Sequence, residues 1–182
     1  MPNNALHIYL GVFLLVVFFS ACVKDTDFDK ANDIVVSPIV DLDLIYFDLP
    51  ANRFFDNATS SPILTVRDTT GLPFLNDSEI RDNVKRIVFS FTVTNSIQRE
   101  FQLDFEFLNK QDSIVYTTQA PIALGAIDNA VVVQFVDTVE GQDLLDLTQA
   151  ERLTVSVTIT SSNQNLNGNL NLQSIATYYL EI

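Results

Sequence analysis

Histidine occurs once in these 182 residues, at His7, cysteine once, at Cys22, and tryptophan not at all. If the first 21 residues are removed, no histidine remains and no internal disulfide can form. That excludes Ser-His-Asp and Cys-His catalysis and every histidine-containing zinc site, and a lone thiolate builds no metal cluster. Any metal would have to be a hard cation held by carboxylates and carbonyls. Glycine appears only at positions 11, 71, 125, 141 and 168, so neither a Walker loop nor a dinucleotide fingerprint can be written. Basic residues are also scarce. Ten Lys and Arg stand against 23 Asp and Glu, a formal charge of −13, whereas nucleic-acid binding and polybasic lipid anchoring both need an excess of cations. Acid–base chemistry would fall to carboxylates alone, as in glycosidases. The expectation is a protein that is not an enzyme and needs no cofactor.

What is present is apolar. The composition is 47% hydrophobic with 14 Phe, too rich for a disordered chain, and the length suits one domain. The first apolar run, Ile8 to Phe19, is 12 residues, which suits the core of a secretory signal better than a bilayer span. It ends in Phe19-Ser20-Ala21-Cys22, small residues directly before the only cysteine. This resembles the lipobox of bacterial lipoproteins, with Phe where Leu is usual and no Lys or Arg ahead of it. The resemblance implies a signal peptide over 1–21, cleavage before Cys22, and acylation of that cysteine (palmitate). The alternative is an uncleaved helix from Ala5 to Val23, just long enough to span.

Behind Cys22 stand Lys24, Asp25, Thr26 and Asp27, similar to the export signal of Bacteroidota surface lipoproteins except that Thr26 interrupts the acidic pair. The wider stretch from Asp27 to Ile34, then Leu44 to Asp48, resembles small flavobacterial-type lipoproteins. The resemblance implies an outer-membrane location, facing the cell surface or else the periplasm, and a protein partner in the envelope. Asp25, Asp27, Asp29 and Asp33 also fall at positions 1, 3, 5 and 9 of a calcium loop. Lys30 stands where that loop needs Gly, however, and Val36 where it needs a bidentate Glu. The segment 22–37 therefore reads as a solvated acidic tether, with no metal site assigned.

From 38 to 182 the signal has period two. Ile87, Phe89, Phe91 and Val93 share a face; so do Phe101, Leu103, Phe105 and Phe107, and again Leu153, Val155, Val157 and Ile159, each alternating with polar residues. Such alternation marks antiparallel strands with one buried and one wet face. Val131 to Val136 is nearly all apolar, as in a strand covered on both sides. Weaker strands are expected at Val40–Leu49, Ile63–Val66, Ile114–Thr118 and Pro121–Leu124. Asn167-Gly168 predicts a type I′ hairpin that would set Leu153, Val155, Val157 and Ile159 opposite Ile182, Leu180, Tyr178 and Ala176. One short helix is expected over Asp143–Ala150, capped by Asp143 and burying Leu144 and Leu147. Loops are expected at Asn52–Ser61 and Arg67–Asn83. Roughly eight strands predict a single antiparallel immunoglobulin-like β-sandwich, with a small up-and-down β-barrel as the alternative.

Three groups of candidate site residues follow. Asp104 and Glu106 project from one strand face about 7 Å apart, near the spacing of two-carboxylate glycoside hydrolysis but equally the polar side of any alternating strand. Tyr46, Tyr116 and Tyr179 are candidate platforms for a glycan, with Tyr178 turned into the core. Asp68-Thr69-Thr70, Asp112-Ser113-Ile114 and Asp137-Thr138-Val139 resemble the O-glycosylation signal of Bacteroidota envelope proteins, which would modify Thr69, Ser113 and Thr138. The function expected is a non-enzymatic, membrane-anchored interaction module or accessory subunit of an envelope complex. A stand-alone glycan-binding or adhesive module is the second reading and a carboxylate-only glycosidase the third.

Overall fold

The computed structural model describes residues 36–75 and 77–182. Cys22, Lys24, Asp25, Asp27, Asp29 and Asp33 lie outside the described residues. One unit, Val36–Ile182, holds all the strands of the described residues. It consists of β1 (Ile39–Pro50), β2 (Phe55–Asp56), β3 (Ser61–Pro62), β4 (Thr65–Gly71), α1 (Ser78–Asn83), β5 (Val84–Asn95), β6 (Phe101–Leu108), β7 (Ile114–Ile122), β8 (Val131–Val139), α2 (Gly141–Leu147), β9 (Arg152–Ile159) and β10 (Asn169–Leu180).

Apart from the minimal β2–β3 pair, the strands form two four-stranded sheets, β1-β10-β5-β8 and β4-β9-β6-β7, with every pairing antiparallel. The molecule is an antiparallel β-sandwich, and its edge strands do not pair into a closed barrel. Within the sandwich architecture, this strand order is that of a double Greek key jelly roll. Sequence neighbours pair only at β6–β7 and β2–β3; every other ladder joins strands distant in the chain.

The alternating faces behave as their pattern requires. Ile87, Phe89, Phe91 and Val93 of β5 face Phe101, Leu103, Phe105 and Phe107 of β6 across the interior, and all eight are buried. Phe91 lies 4.4 Å from Phe105 and 4.4 Å from Phe135, centroid to centroid, while Phe89 stacks on Phe107 at 5.0 Å. An aromatic seam therefore joins the sheets where cysteine is absent.

The predicted hairpin between β9 and β10 does not form. β10 pairs with β1 and β5, β9 with β4 and β6, and the two strands lie in opposite sheets. Their apolar residues meet across the core rather than across a ladder, which period two allows equally well. Ile182, assigned to that hairpin, is exposed and exchanges backbone bonds with Val36. Gly168 does take positive φ (104°), but its role is close approach: a Cβ there would sit 2.6 Å from Ser96 O. Val131–Val136 is likewise not covered on both sides. It belongs to edge strand β8, which turns Val132 and Val136 to solvent, no third layer being formed on that sheet among the described residues. Ile114–Thr118 and Pro121–Leu124 merge into the single strand β7, and Ile63 and Leu64 precede β4 with exposed side chains.

The segment read as one loop, Arg67–Asn83, holds most of β4 and all of α1, so the described residues hold two α-helices where one was expected. Asp77 caps α1 by accepting from Glu79 N (2.8 Å) and Ile80 N (3.4 Å). The second helix begins at Gly141, two residues before the expected cap. Gly141 takes φ 61°, a turn that glycine tolerates at no steric cost. Asp143 then lies in the first turn, and Leu144 and Leu147 are buried as their spacing requires.

Candidate functional site

The two outward faces of the sandwich differ in chemistry. On the β4-β9-β6-β7 sheet, strand register lines up three polar cross-strand rows, with a fourth, Gly71, Arg152, Leu108 and Ile114, at one end. The central one is Arg67, Ser156, Asp104 and Gln119; beside it run Thr65, Thr158, Gln102 and Pro121, and Thr69, Thr154, Glu106 and Thr117. Eleven of these twelve positions are polar, because alternating strands send their apolar residues inward. The flanking rows are zipped by side-chain bonds: the Thr65 and Thr158 hydroxyls are 3.2 Å apart, those of Thr69 and Thr154 3.0 Å. Gln102 Nε2 donates to Asp104 Oδ1 (3.2 Å) and Gln119 Oε1 (3.4 Å). In the central row Ser156 is only 4% exposed, and its hydroxyl has no hydrogen-bond partner among the described residues. A concavity of about 420 Å³ lies over these rows, lined by Arg67, Ser156, Asp104, Glu106, Gln119 and Thr158 among others.

The outward face of the β1-β10-β5-β8 sheet carries apolar groups. Ile39, Ile175, Val132, Val136 and Tyr46 are all exposed there, interspersed with Thr177, Gln173, Thr92 and Gln134. Between edge strands β1 and β4 a groove of about 500 Å³ is lined by Asp43, Tyr46, Asp68, Thr69 and Gln173.

The candidate residues fall into different places. Tyr46 and Tyr179 point outward on the same sheet, but six residues apart along β10 (Tyr46 pairs Gln173), about 20 Å. Tyr46 is exposed, and Asn171 Nδ2 donates to its hydroxyl at 3.4 Å. Tyr179 is half-buried, with the Arg86 guanidinium 3.8 Å from its ring centroid. Tyr116 turns inward at the opposite edge, packs on Phe107 and donates to Asp137 Oδ2 at 2.7 Å. Burial foremost, then that hydrogen bond and the Asp137 charge, push its hydroxyl above the ordinary tyrosine range. Asp104 and Glu106 sit two residues apart on β6, side by side on one face rather than across a cleft.

Thr69 and Thr138 are exposed on edge strands β4 and β8, and Ser113 in the turn between β6 and β7. Thr69 and Tyr46 are brought together, since both line the β1–β4 groove. Among the described residues no cluster of three metal-ligating side chains occurs, and no helix is long and apolar enough to cross a membrane. Sequence reasoning missed Arg67, Ser156 and Gln119. Thr154, Ser156 and Thr158 did alternate visibly along their strand, but nothing local signals which strands lie beside it.

No protein-family model and no curated protein matches the chain. Among solved structures it is similar to the VP2 subviral particle of infectious bursal disease virus (6% identity, TM-score 0.48, covering 79% of this chain and 32% of that one). It is also similar to a secreted protein from Parabacteroides distasonis, at 11% identity and TM-score 0.41, covering 63% of this chain and 38% of that one. The chain spans about a third of the length of these structures.

Proposed function

We propose that this chain is a non-enzymatic lipoprotein, anchored in the outer membrane through lipid on Cys22, whose β-sandwich serves as an interaction module or accessory subunit of a cell-surface complex. The observation that supports this reading is the outward face of the β1-β10-β5-β8 sheet. Ile39, Ile175, Val132, Val136 and Tyr46 are left in water there, whereas the strand register places one exposed large aliphatic side chain, Ile114 at the start of β7, on the opposite outward face. Ile175 and Val136 lie in one cross-strand row with Ser90 between them, and exposed apolar groups so placed favour a protein partner. Lipid on Cys22 supplies the location, the acidic segment the reach, and this face the contact.

The test is a pull-down of the tagged full chain from its own outer membrane in mild detergent, beside Ile175→Asp and Val136→Asp variants. A stoichiometric envelope protein that accompanies the parent chain and is lost from both variants supports the reading. Recovery of the chain alone overturns it.

A further inference from the structure

We propose that the polar outward face of the β4-β9-β6-β7 sheet binds an uncharged glycan strand, laid across the row Arg67, Ser156, Asp104 and Gln119. This site is on the opposite side of the sandwich from the apolar face and does not depend on it.

The first support is the unpartnered hydroxyl. Ser156 is 4% exposed, and its Oγ finds no partner, although the threonine pairs on either side of it bond one another across the same two strands. A buried hydroxyl without a partner costs stability that an apolar side chain of similar size would not. Its neighbours in the row supply the reason to keep it, for Arg67 stands on one side and Asp104 on the other. Ser156 Oγ is closed to solvent, so a ligand hydroxyl gives it a partner only by displacing a neighbouring side chain of the row.

The second support is the mixture of donors and acceptors. Arg67 only donates, Asp104 and Glu106 only accept, and Ser156, Gln119, Thr65 and Thr158 do both. Sugar hydroxyls both donate and accept, so a polyol can satisfy all of these at once. One cation against two carboxylates suits neither a polyanion nor a polycation. No aromatic side chain projects from these rows, so recognition rests on hydrogen bonds rather than ring stacking.

The third support is size and repeat. Neighbouring strands lie about 4.8 Å apart, so the four groups of the row span roughly 14 Å, several times the reach of a single hydroxyl pair. A concavity of about 420 Å³ covers them, within the volume range of ordinary ligand sites.

The experiment uses the full chain in a sugar-free detergent, titrated calorimetrically with the hexasaccharides of glucose, mannose, galactose, xylose and N-acetylglucosamine, and with free glucose as the single-sugar arm. The expected result is saturable binding of at least one hexasaccharide, tighter than that of free glucose. Asp104→Ala and Gln119→Ala should each weaken it by about tenfold, the loss of one or two hydrogen bonds. Ser156→Ala should weaken binding while raising the melting temperature, a combination that a merely structural serine does not produce. The proposal is overturned if no hexasaccharide saturates, if binding survives Asp104→Ala and Gln119→Ala, or if Ser156→Ala lowers the melting temperature.

Discussion

Tyr116 joins Asp137 across the open side of the sandwich, its hydroxyl donating to Oδ2 at 2.7 Å. Tyr116 belongs to edge strand β7 and Asp137 to edge strand β8, so the bond ties together two sheets that share no backbone ladder. Tyr116→Phe keeps the ring against Phe107 but removes the donor to a half-buried carboxylate. The expected loss is about 1–2 kcal/mol. For a chain of this size that corresponds to a melting temperature lower by several degrees, read by calorimetry. An unchanged melting temperature would show that water takes over the bond.

Alkaline pH should unfold the domain through buried phenols. Burial pushes Tyr178 up to about 12, and Tyr116 is also raised. Both bind their proton more tightly folded than unfolded, so their contribution is complete below about pH 10, the unfolded value. It is lost as pH rises from 10 through about 12 for Tyr178, and beyond for Tyr116. Phenolate absorbance followed beside far-ultraviolet dichroism should show these two phenols ionising together with loss of strand signal. Ionisation of Tyr116 and Tyr178 well before any structural change would contradict this.

Asn95 is a buried connector at the end of β5. Its amide donates to Arg99 O and Ala123 O, each at 2.8 Å, and its Oδ1 accepts from Ile97 N at 2.9 Å. Gly125 completes the junction, because a Cβ there would lie 2.1 Å from Asn95 O. Asn95→Ala strands three backbone groups and should cost about 3 kcal/mol or more. Gly125→Ala should destabilise as well, through backbone collision. Urea unfolding measures both, and a loss below about 1 kcal/mol in each would contradict the junction.

Phe91 is the centre of the aromatic seam, in contact with Phe105 and Phe135. Phe91→Ala opens a cavity between the sheets and should cost about 3–5 kcal/mol, while Phe91→Leu should cost less. A ranking in the reverse order in urea would argue that the seam repacks freely.

Anchoring is expected to depend on Cys22. Cys22→Ser should abolish incorporation of a palmitate analogue and shift the chain from the membrane fraction to the soluble one. Membrane retention without label would favour the uncleaved helix instead.

Much of the layer structure was legible in the sequence. Alternation assigned the buried faces of β5, β6 and β9 residue by residue, because in a two-layer sandwich each strand has one core side and one wet side. It also sent Tyr178 inward, although the hairpin offered as the reason does not exist. The two helices were less legible: α1 is six residues long and announces itself only by the Asp77 cap. Of the candidate site, Asp104 and Glu106 were visible as a pair, but Arg67, Ser156 and Gln119 were not. They come from β4, β9 and β7, separated in sequence by dozens of residues and adjacent only through the sheet.

The sequence by itself determined which side of β5, β6 and β9 meets the core, the lack of histidine and thiol chemistry beyond residue 22, and the excess of carboxylates over cations. Those properties are local, set by side-chain period and composition. Only the tertiary structure decided which strands are neighbours. A period of two places Val155 and Tyr178 in one core whether they face each other along a ladder or across the sandwich, and the energy of burying them is much the same. The choice between those arrangements is made by long-range pairing, β1 with β10 at the ends of the chain and β5 with β8 across the intervening strands. With it came the row of Arg67, Ser156, Asp104 and Gln119, which exists only because four distant segments share one register.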